Sequence, residues 1–303
     1  MPSEADPEKT LFQYKDIDLD KKSSVRDNRN VYNKNMLDVH CHLQFDEYEK
    51  DRENVINEAK KIGIDQIFNA STTLKNSKKA VELAEKYKNL YAIIGIHPNH
   101  AHEQEKGWDL ELKKIAKSSK KVIGIGEIGL DYFKHSSNEI INKNKQEQIF
   151  RLQIEIAIEL DLPLQIHNRQ AGEDIVRILK EYKNSLRVIP GMFHCMSGNV
   201  SLIKNVLELG FYVGFDGNIT YKGIAKGEDT PLSILIEESP IERIVTETDS
   251  PLLAPIPFRG SRNEPKNVII VVEKIAEIKG LKKEIVAEET TKNAKKIFNI
   301  DFS

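Results

Sequence analysis

The stretch YAIIGI, Tyr91–Ile96, is a nearly continuous apolar run. A strand with one solvated face alternates apolar and polar residues, whereas a parallel strand buried on both faces is apolar throughout. The run therefore predicts a buried parallel strand, which we extend to His97. Seven similar β-rich segments occur in the chain, at Leu37–Leu43, Gln66–Ala70, Val122–Leu130, Pro163–His167, Val188–Cys195, Phe211–Ile219 and Arg243–Thr248.

Between these segments lie amphipathic stretches with helical spacing. Val55, Ile56, Ala59 and Ile62 form one such apolar stripe, with charged residues between them. Strict alternation of strand and helix predicts a parallel sheet with helices outside it, and eight units predict closure. The first strand is not followed by a glycine-rich dinucleotide fingerprint, which argues against an open doubly wound sheet. We therefore predict an α/β protein with a (β/α)8 TIM-type barrel.

Composition excludes several broad classes of protein. The 303 residues carry a formal net charge of −2, which argues against a basic protein that coats nucleic acid nonspecifically. Two cysteines, Cys41 and Cys195, are too few for a disulfide framework and favour a reducing compartment. No apolar run reaches the ~18 residues of a membrane span. We expect a cytoplasmic protein without a membrane partner, with access to the nucleus left open.

The beginning of the chain differs from the remainder. Residues 1–35 contain no glycine and few large apolar side chains, and acidic and basic residues are mixed through them. They lack the apolar core of a signal peptide, and their many acids disfavour a mitochondrial transit peptide. We predict a polar, partly disordered N-terminal arm at 1–35 and one barrel domain at 36–303.

The predicted strands end in polar residues that suit a metal site. Active sites of such barrels lie at the carboxyl ends of the strands. Residues two apart in a strand point to the same face, ~6.5–7 Å apart, so two histidines at the end of the first strand can approach one ion. A buried carboxylate in the fourth strand is costly unless it is paired or bound to a cation. The six candidate ligands are His40, His42, Glu127, His167, His194 and Asp249.

Imidazole and carboxylate ligands suit zinc, manganese or iron, and an open carboxylate-rich site also admits magnesium. Six ligands exceed the three protein ligands of a catalytic zinc, so we expect two divalent ions (Mg, Mn or Zn) with Glu127 as the bridge. Asp249 would orient or deprotonate the attacking water. Glu247 shares a strand face with Asp249, and it either supports the site or is an unrelated core residue.

The motifs around these ligands resemble the TatD family of metal-dependent deoxyribonucleases. The similarity runs in order over nearly the whole chain from Met36 and omits only the first arm. The matching segments are Leu37–Leu43 (LDVHCHL), Gly95–Pro98 (GIHP), Gly126–Tyr132 (GEIGLDY), Pro163–Arg169 (PLQIHNR), Phe193–Gly198 (FHCMSG), Glu247–Pro251 (ETDSP) and Arg259–Pro265 (RGSRNEP).

The resemblance implies an amidohydrolase-like barrel and hydrolysis of DNA phosphodiester bonds, often by exonucleases that work from the 3′ end. It implies the same six metal ligands. It also implies magnesium or manganese in assays, and for some members hydrolysis of aminoacyl esters on tRNA. Gln170 stands where many members carry an acidic residue, and Met196 replaces a more usual phenylalanine. Both departures concern substrate contacts more than metal ligands.

Four further residues are candidate substrate contacts. His97 ends the third strand and either reaches a phosphate or caps the turn before Pro98. Arg169 has a fork suited to phosphate oxygens, or forms a rim salt bridge. Arg259 and Arg262 lie in a loop after the last strand, where they either contact nucleic acid or are structural.

Three functions remain open at this stage. The first is a two-metal deoxyribonuclease with DNA as its substrate and no obligatory protein partner. The second is a hydrolase of small amides or esters, including aminoacyl-tRNA esters, on the same barrel. A carboxylated lysine in the fourth strand would have favoured amides, and this chain has Glu127 there. The third is a metal-bearing binding protein without turnover, which the intact ligand set disfavours.

Overall fold

The structure is a computed structural model that describes residues 36–133 and 142–300. Within these residues eight parallel strands form one sheet in which each strand pairs with the next one along the chain. The strands are β1 (Met36–Cys41), β2 (Ile64–Ala70), β3 (Leu90–Ile94), β4 (Val122–Asp131), β5 (Leu164–Arg169), β6 (Gly191–Phe193), β7 (Tyr212–Phe215) and β8 (Ile244–Thr246).

The two ends of this row of strands meet. Cys41 at the end of β1 forms a parallel bridge with Ser250, which follows β8. The His42 amide donates to the Ser250 carbonyl at 2.7 Å, and the Asp249 amide donates to the His40 carbonyl at 2.9 Å. The sheet is therefore curled into a (β/α)8 barrel, as the alternation of strands and helices predicted.

Helices alternate with the strands and cover the outside of the barrel. In α5, for example, Ile175, Val176, Ile178 and Leu179 are buried on one face, and the spacing of these apolar residues matches the helical repeat. The helices of the described residues are α1 (Arg52–Lys61), α2 (Leu74–Lys86), α3 (Trp108–Lys117), α4 (Lys143–Leu160), α5 (Gly172–Tyr182), α6 (Val200–Glu208), α7 (Leu232–Glu238), α8 (Val268–Lys279) and α9 (Lys283–Phe298). None of them is both long enough and apolar enough to cross a membrane.

The last helix closes one end of the barrel. Ile297 and Phe298 of α9 belong to the same buried cluster as Leu37 and Phe68 from the barrel interior. The ring of Phe298 packs edge to face on that of Phe68, with centroids 4.9 Å apart. Because this plug fills the amino end of the barrel, the opposite carboxyl end is left for polar side chains.

Five strands, β1, β3, β6, β7 and β8, are shorter than the sequence predicts, and β6 and β7 differ most. Val188, the predicted start of β6, is 97% exposed, and pairing begins only at Gly191. Pro190 has no N–H to donate to a ladder, so the apolar residues before it cannot be central strand residues. β7 ends at Phe215, and Gly217–Thr220 form a 3-10 helix instead of continuing the strand. The predicted arm at 1–35 lies outside the described residues and stays a prediction.

Candidate metal centre

The structure brings the six predicted ligands together at the carboxyl end of the barrel. His40 lies in β1 with His42 directly after it, Glu127 lies within β4, and His167 lies in β5. His194 and Asp249 follow β6 and β8. All are buried except His167, which is partly buried, and five of them line one common pocket. His40 is fully buried behind that lining, with its Nε2 atom 3.1 Å from Nε2 of His42.

The first group of ligand atoms comes from β1 and from the segment after β8. The Nε2 atoms of His40 and His42 are 3.1 Å apart. Oδ1 of Asp249 lies 3.5 Å from the first and 3.2 Å from the second. Oε2 of Glu127 completes the group at 3.7 and 3.8 Å from the same two nitrogens.

The second group gathers around the other oxygen of the same glutamate. Oε1 of Glu127 lies 2.7 Å from Nδ1 of His167 and 2.7 Å from Nε2 of His194. Nδ1 of His167 and Nε2 of His194 are themselves 3.2 Å apart. The two carboxylate oxygens of Glu127 thus face two different sets of ligand atoms, which is the geometry of a residue that bridges two metal ions.

Hydrogen bonds behind the first group select the tautomers of its histidines. Nδ1 of His40 lies 2.8 Å from Oε1 of Gln165, and the Gln165 amide is oriented because its Nε2 donates to the Val39 carbonyl at 2.8 Å. Nδ1 of His42 lies 2.9 Å from the carbonyl of Ala70. Both Nδ1 atoms face acceptors and must carry the proton, so in the neutral rings both Nε2 atoms present lone pairs to the pocket.

In the second group, His167 also presents a lone pair toward the other ligand atoms. Nε2 of His167 lies 3.4 Å from Oδ2 of Asp131, which leaves Nδ1 as the lone-pair nitrogen beside Glu127. Lone pairs and carboxylate oxygens therefore face one another in both groups. Such a set repels itself unless protons or cations lie between its members, and imidazole and carboxylate donors suit divalent zinc, manganese or magnesium. The residues present therefore fit a divalent metal centre.

Burial and the neighbouring side chains also shift the pKa values of the candidate ligands. Burial opposes charge on His42 and His167, but hydrogen bonds to Asp249 and to Asp131 and Glu127 outweigh it and raise the pKa of each imidazole to about 9. Burial and the neighbouring His194 lower the pKa of His40 to about 4. Metal binding must therefore displace protons from this site.

Other polar residues are buried around the candidate ligands and contact them or the backbone beside them. The sequence analysis did not identify all of these residues. Oε1 of Glu247 accepts a hydrogen bond from the backbone amide of Cys195 and lies 4.0 Å from Nδ1 of His194, so Glu247 holds the end of β6 beside the site. Gln165 and Asp131 were missed as partners of ligands. Asp131 stood in the same motif as Glu127, and an acidic residue at the end of a buried strand was the signal for it.

The ring of His97 presents a proton to the pocket, whereas the neutral rings of the candidate ligands present lone pairs. Its Nδ1 accepts a hydrogen bond from the backbone amide of Asn99 at 3.1 Å. The proton is therefore on Nε2, which lies 3.4 Å from Oε1 of Glu127 and lines the pocket. Burial lowers the pKa of His97 to about 3, so the ring is neutral and acts as a donor toward the pocket. His97 also caps the turn before Pro98, which was one of the two alternatives, whereas its contact with a phosphate stays a prediction.

The three candidate arginines differ in position. Arg169 lines the pocket, with its guanidinium 3.7 Å from the centroid of the Phe133 ring. Arg262 forms a bidentate pair with Asp51 at 2.7 and 2.8 Å and a further bond to Glu264, so the structure places it in a rim ion-pair network instead of the pocket. Arg259 is also outside the pocket lining, and its guanidinium lies over the ring of Tyr221.

Comparison with known proteins gives relatives that cover most of the chain. The Bacillus subtilis protein named uncharacterized metal-dependent hydrolase YabD is 38% identical over 269 residues, which is 88% of this chain and 100% of its own. A Danio rerio relative whose name gives it provisionally as deoxyribonuclease tatdn3 is 30% identical over 87% of this chain and 97% of its own.

Solved structures agree with these sequence relatives. The Escherichia coli TatD homologue YjjV superposes with a TM-score of 0.80 at 26% identity, covering 88% of this chain and 99% of its own. The profile of the family described as TatD related DNase matches residues 37–299. That match spans the barrel and all six candidate ligands, and the chain belongs to the TatD family of metal-dependent hydrolases.

Proposed function

We propose that this protein hydrolyses phosphodiester bonds of DNA with two divalent cations, as an exonuclease that works from the 3′ end. The observation that carries the proposal is the division of the ligands into two groups by the two oxygens of Glu127. Membership of a family described as related to DNases supports the choice of substrate. Glu127, in place of a carboxylatable lysine, disfavours amide substrates.

The residues that would hold the cations follow from the two groups of atoms. His40, His42 and Asp249 would hold one, His167 and His194 the other, and Glu127 both. Two such ions supply Lewis acidity toward phosphoryl oxygens and lower the pKa of water to near neutrality.

The chain's own residues would supply proton transfer and orientation. Asp249 accepts the proton of the attacking water, and the hydrogen bond from its backbone amide to the His40 carbonyl, at 2.9 Å, fixes its position. The Nε2–H of His97 donates to a phosphoryl oxygen. The guanidinium of Arg169 neutralises the charge that develops on the phosphate, a role in which its fork suits two oxygens at once.

The shape of the pocket supports cleavage at a strand end. The pocket is concave, and its lining side chains come from the ends of several strands and from the loops after them. Leu232, Leu252 and Leu253 form an apolar part of its wall. A terminal nucleotide fits such a pocket better than a continuous duplex does.

Labelled oligonucleotides test both the substrate and the direction. Single strands labelled at the 5′ end should give a ladder of products with Mg²⁺ or Mn²⁺, whereas a 3′ label should be released as a mononucleotide at once. EDTA and His167→Ala should abolish both. His102→Ala is the control, because His102 is a half-exposed histidine outside the pocket lining. Cleavage of small amides or esters, including aminoacyl-tRNA esters, with DNA left intact would replace this proposal with the alternative function.

We also propose that the protein acts in the cytoplasm. Cys41 and Cys195 are both free thiols, as expected in a reducing compartment. Immunostaining of cells should give cytoplasmic signal, and exclusive recovery from an oxidising compartment would contradict the proposal.

A further inference from the structure

Exposed apolar side chains occur on one loop beside the pocket. Ile256 and Phe258 are 43% and 44% exposed, and Phe258 is the only phenylalanine that is this exposed among the described residues. Both follow Leu252 and Leu253, which line the metal pocket, within the same segment after β8. Contiguous apolar surface rimmed by polar residues marks binding sites, whereas a single exposed apolar side chain does not, so the surroundings of this pair decide its meaning.

This loop is held firmly against its neighbour, the segment after β7. The hydroxyl of Tyr221 donates to the Ala254 carbonyl at 2.7 Å, and the Ile256 amide donates to Oγ1 of Thr220 at 2.9 Å. A Cβ atom on Gly217 would clash with the carbonyl oxygen of Leu253, so the two segments pack backbone against backbone. The exposed side chains therefore stand on a preorganised support.

Positive charge accompanies the apolar surface. The guanidinium of Arg259 lies 4.4 Å from the centroid of the Tyr221 ring. Lys222 is exposed on the same segment as Tyr221, and Lys226 further along it reaches the pocket lining. Sites that bind single-stranded nucleic acid combine aromatic side chains, on which the bases stack, with cationic side chains, which attract the phosphates of the backbone. This surface has both kinds of side chain.

We propose that Tyr221, Ile256, Phe258 and Arg259 form a shelf on which an unpaired nucleobase next to the scissile phosphate stacks. The inference rests on the proposed function and deepens it, because it assigns residues of this chain to the base beside the cleaved bond. Phe258 provides the stacking face, and Arg259 and Lys222 attract the phosphates that lead toward the metal pocket.

The dimensions of the shelf favour a base over other occupants. A duplex keeps the faces of its bases stacked inside the helix, where Phe258 cannot reach them. A stable protein partner needs on the order of 800 Å² on each side, far more than a few side chains of one loop offer. An unpaired base needs only one flat apolar face and nearby charge.

Binding of base-bearing and abasic strands tests the shelf. The probes are a fluorescein-labelled ten-residue oligothymidylate and the same strand with abasic spacers at its three 3′-terminal positions. Fluorescence anisotropy is measured with Mg²⁺ in an Asp249→Asn background, which slows cleavage. Phe258→Ala should weaken binding of the thymidylate about 5- to 100-fold and leave binding of the abasic strand unchanged, and Phe258→Trp should restore it. Leu110→Ala is the control, because Leu110 is 66% exposed on α3, away from the pocket.

The outcomes separate this inference from the proposed function. Equal binding of both strands by the wild-type and Phe258→Ala proteins overturns the shelf, and so does an equal loss for both strands. Hydrolysis of bis(p-nitrophenyl) phosphate by the wild-type protein and by Leu110→Ala should be equal, which checks the metal pocket separately, since that ester requires only the metal pocket. Failure of the wild-type protein to cleave any DNA would refute the proposed function, whereas DNA cleavage that is indifferent to Phe258 would refute only the shelf.

Discussion

Replacing Gln165 by methionine should weaken metal binding without touching a metal ligand. Gln165 is fully buried in β5 and accepts a hydrogen bond from Nδ1 of His40 while its own amide donates to Val39. This arrangement keeps the proton of His40 on Nδ1 and the lone pair of Nε2 in the pocket. Methionine has a similar volume and cannot accept this proton with comparable strength.

The size of the effect follows from the contacts that are lost. Loss of the partner that orients a metal-ligating histidine typically costs about 10- to 100-fold in metal affinity. Two buried groups, the His40 N–H and the Val39 carbonyl, lose their partner, at about 1–3 kcal/mol each in the free energy of unfolding. The variant should therefore be measurably less stable even when it is stripped of metal.

Gln153→Met separates the two effects. Gln153 is equally buried, and its side chain bonds to both the amide and the carbonyl of Ile96, so it also loses two buried contacts. It touches no metal ligand in the described contacts. Calorimetric titration of the stripped proteins with Mn²⁺ should give weaker binding for Gln165→Met only, and urea denaturation should show both variants destabilised. Equal metal affinities for the two variants would refute the role assigned to Gln165.

Four other predictions concern the metal pocket and residues around it. Asp249→Asn should lower kcat for DNA cleavage about 10²- to 10⁴-fold, as loss of a general base does, and an unchanged kcat would remove Asp249 from proton transfer. Added Mn²⁺ should increase the free energy of unfolding of the stripped protein by about 2.7 kcal/mol at 100 times its Kd, which is measured as a higher melting temperature. An unchanged melting temperature would argue against a specific site. Arg169→Gln should slow DNA cleavage while Arg262→Gln should mainly lower stability, and steady-state kinetics with melting curves would expose the reverse pattern. Burial raises the pKa of Asp216 from 3.8 to about 7, so its contribution to stability is full below pH 3.8 and is lost as the pH rises through 7. The difference in free energy of unfolding between the wild type and Asp216→Asn, measured in stripped protein, should therefore fall between these two pH values. A constant difference would contradict the shifted pKa.

The barrel and the meeting of the six candidate ligands at one of its ends could be predicted from the sequence because both depend on local patterns. Apolar runs such as Tyr91–Ile96 and the helical stripes between them report secondary structure directly. Parallel strands in a barrel all end at the same edge, so histidines and carboxylates at predicted strand ends had to meet. The boundary errors at Val188 and beyond Phe215 occurred because apolar composition does not report where ladder pairing starts and stops.

The division of the ligands and the partners behind them were decided only by tertiary structure. Gln165 and His40 are 125 positions apart, and Arg262 and Asp51 are 211 apart, so no local pattern connects them. Whether a histidine nitrogen offers a lone pair or a proton depends on the acceptor that lies behind it, and an arginine contacts substrate or stays in the rim according to the carboxylates that folding brings beside it. The exposure of Phe258 likewise depends on how two loops pack against each other, which is a property of the folded chain and not of the order of its residues.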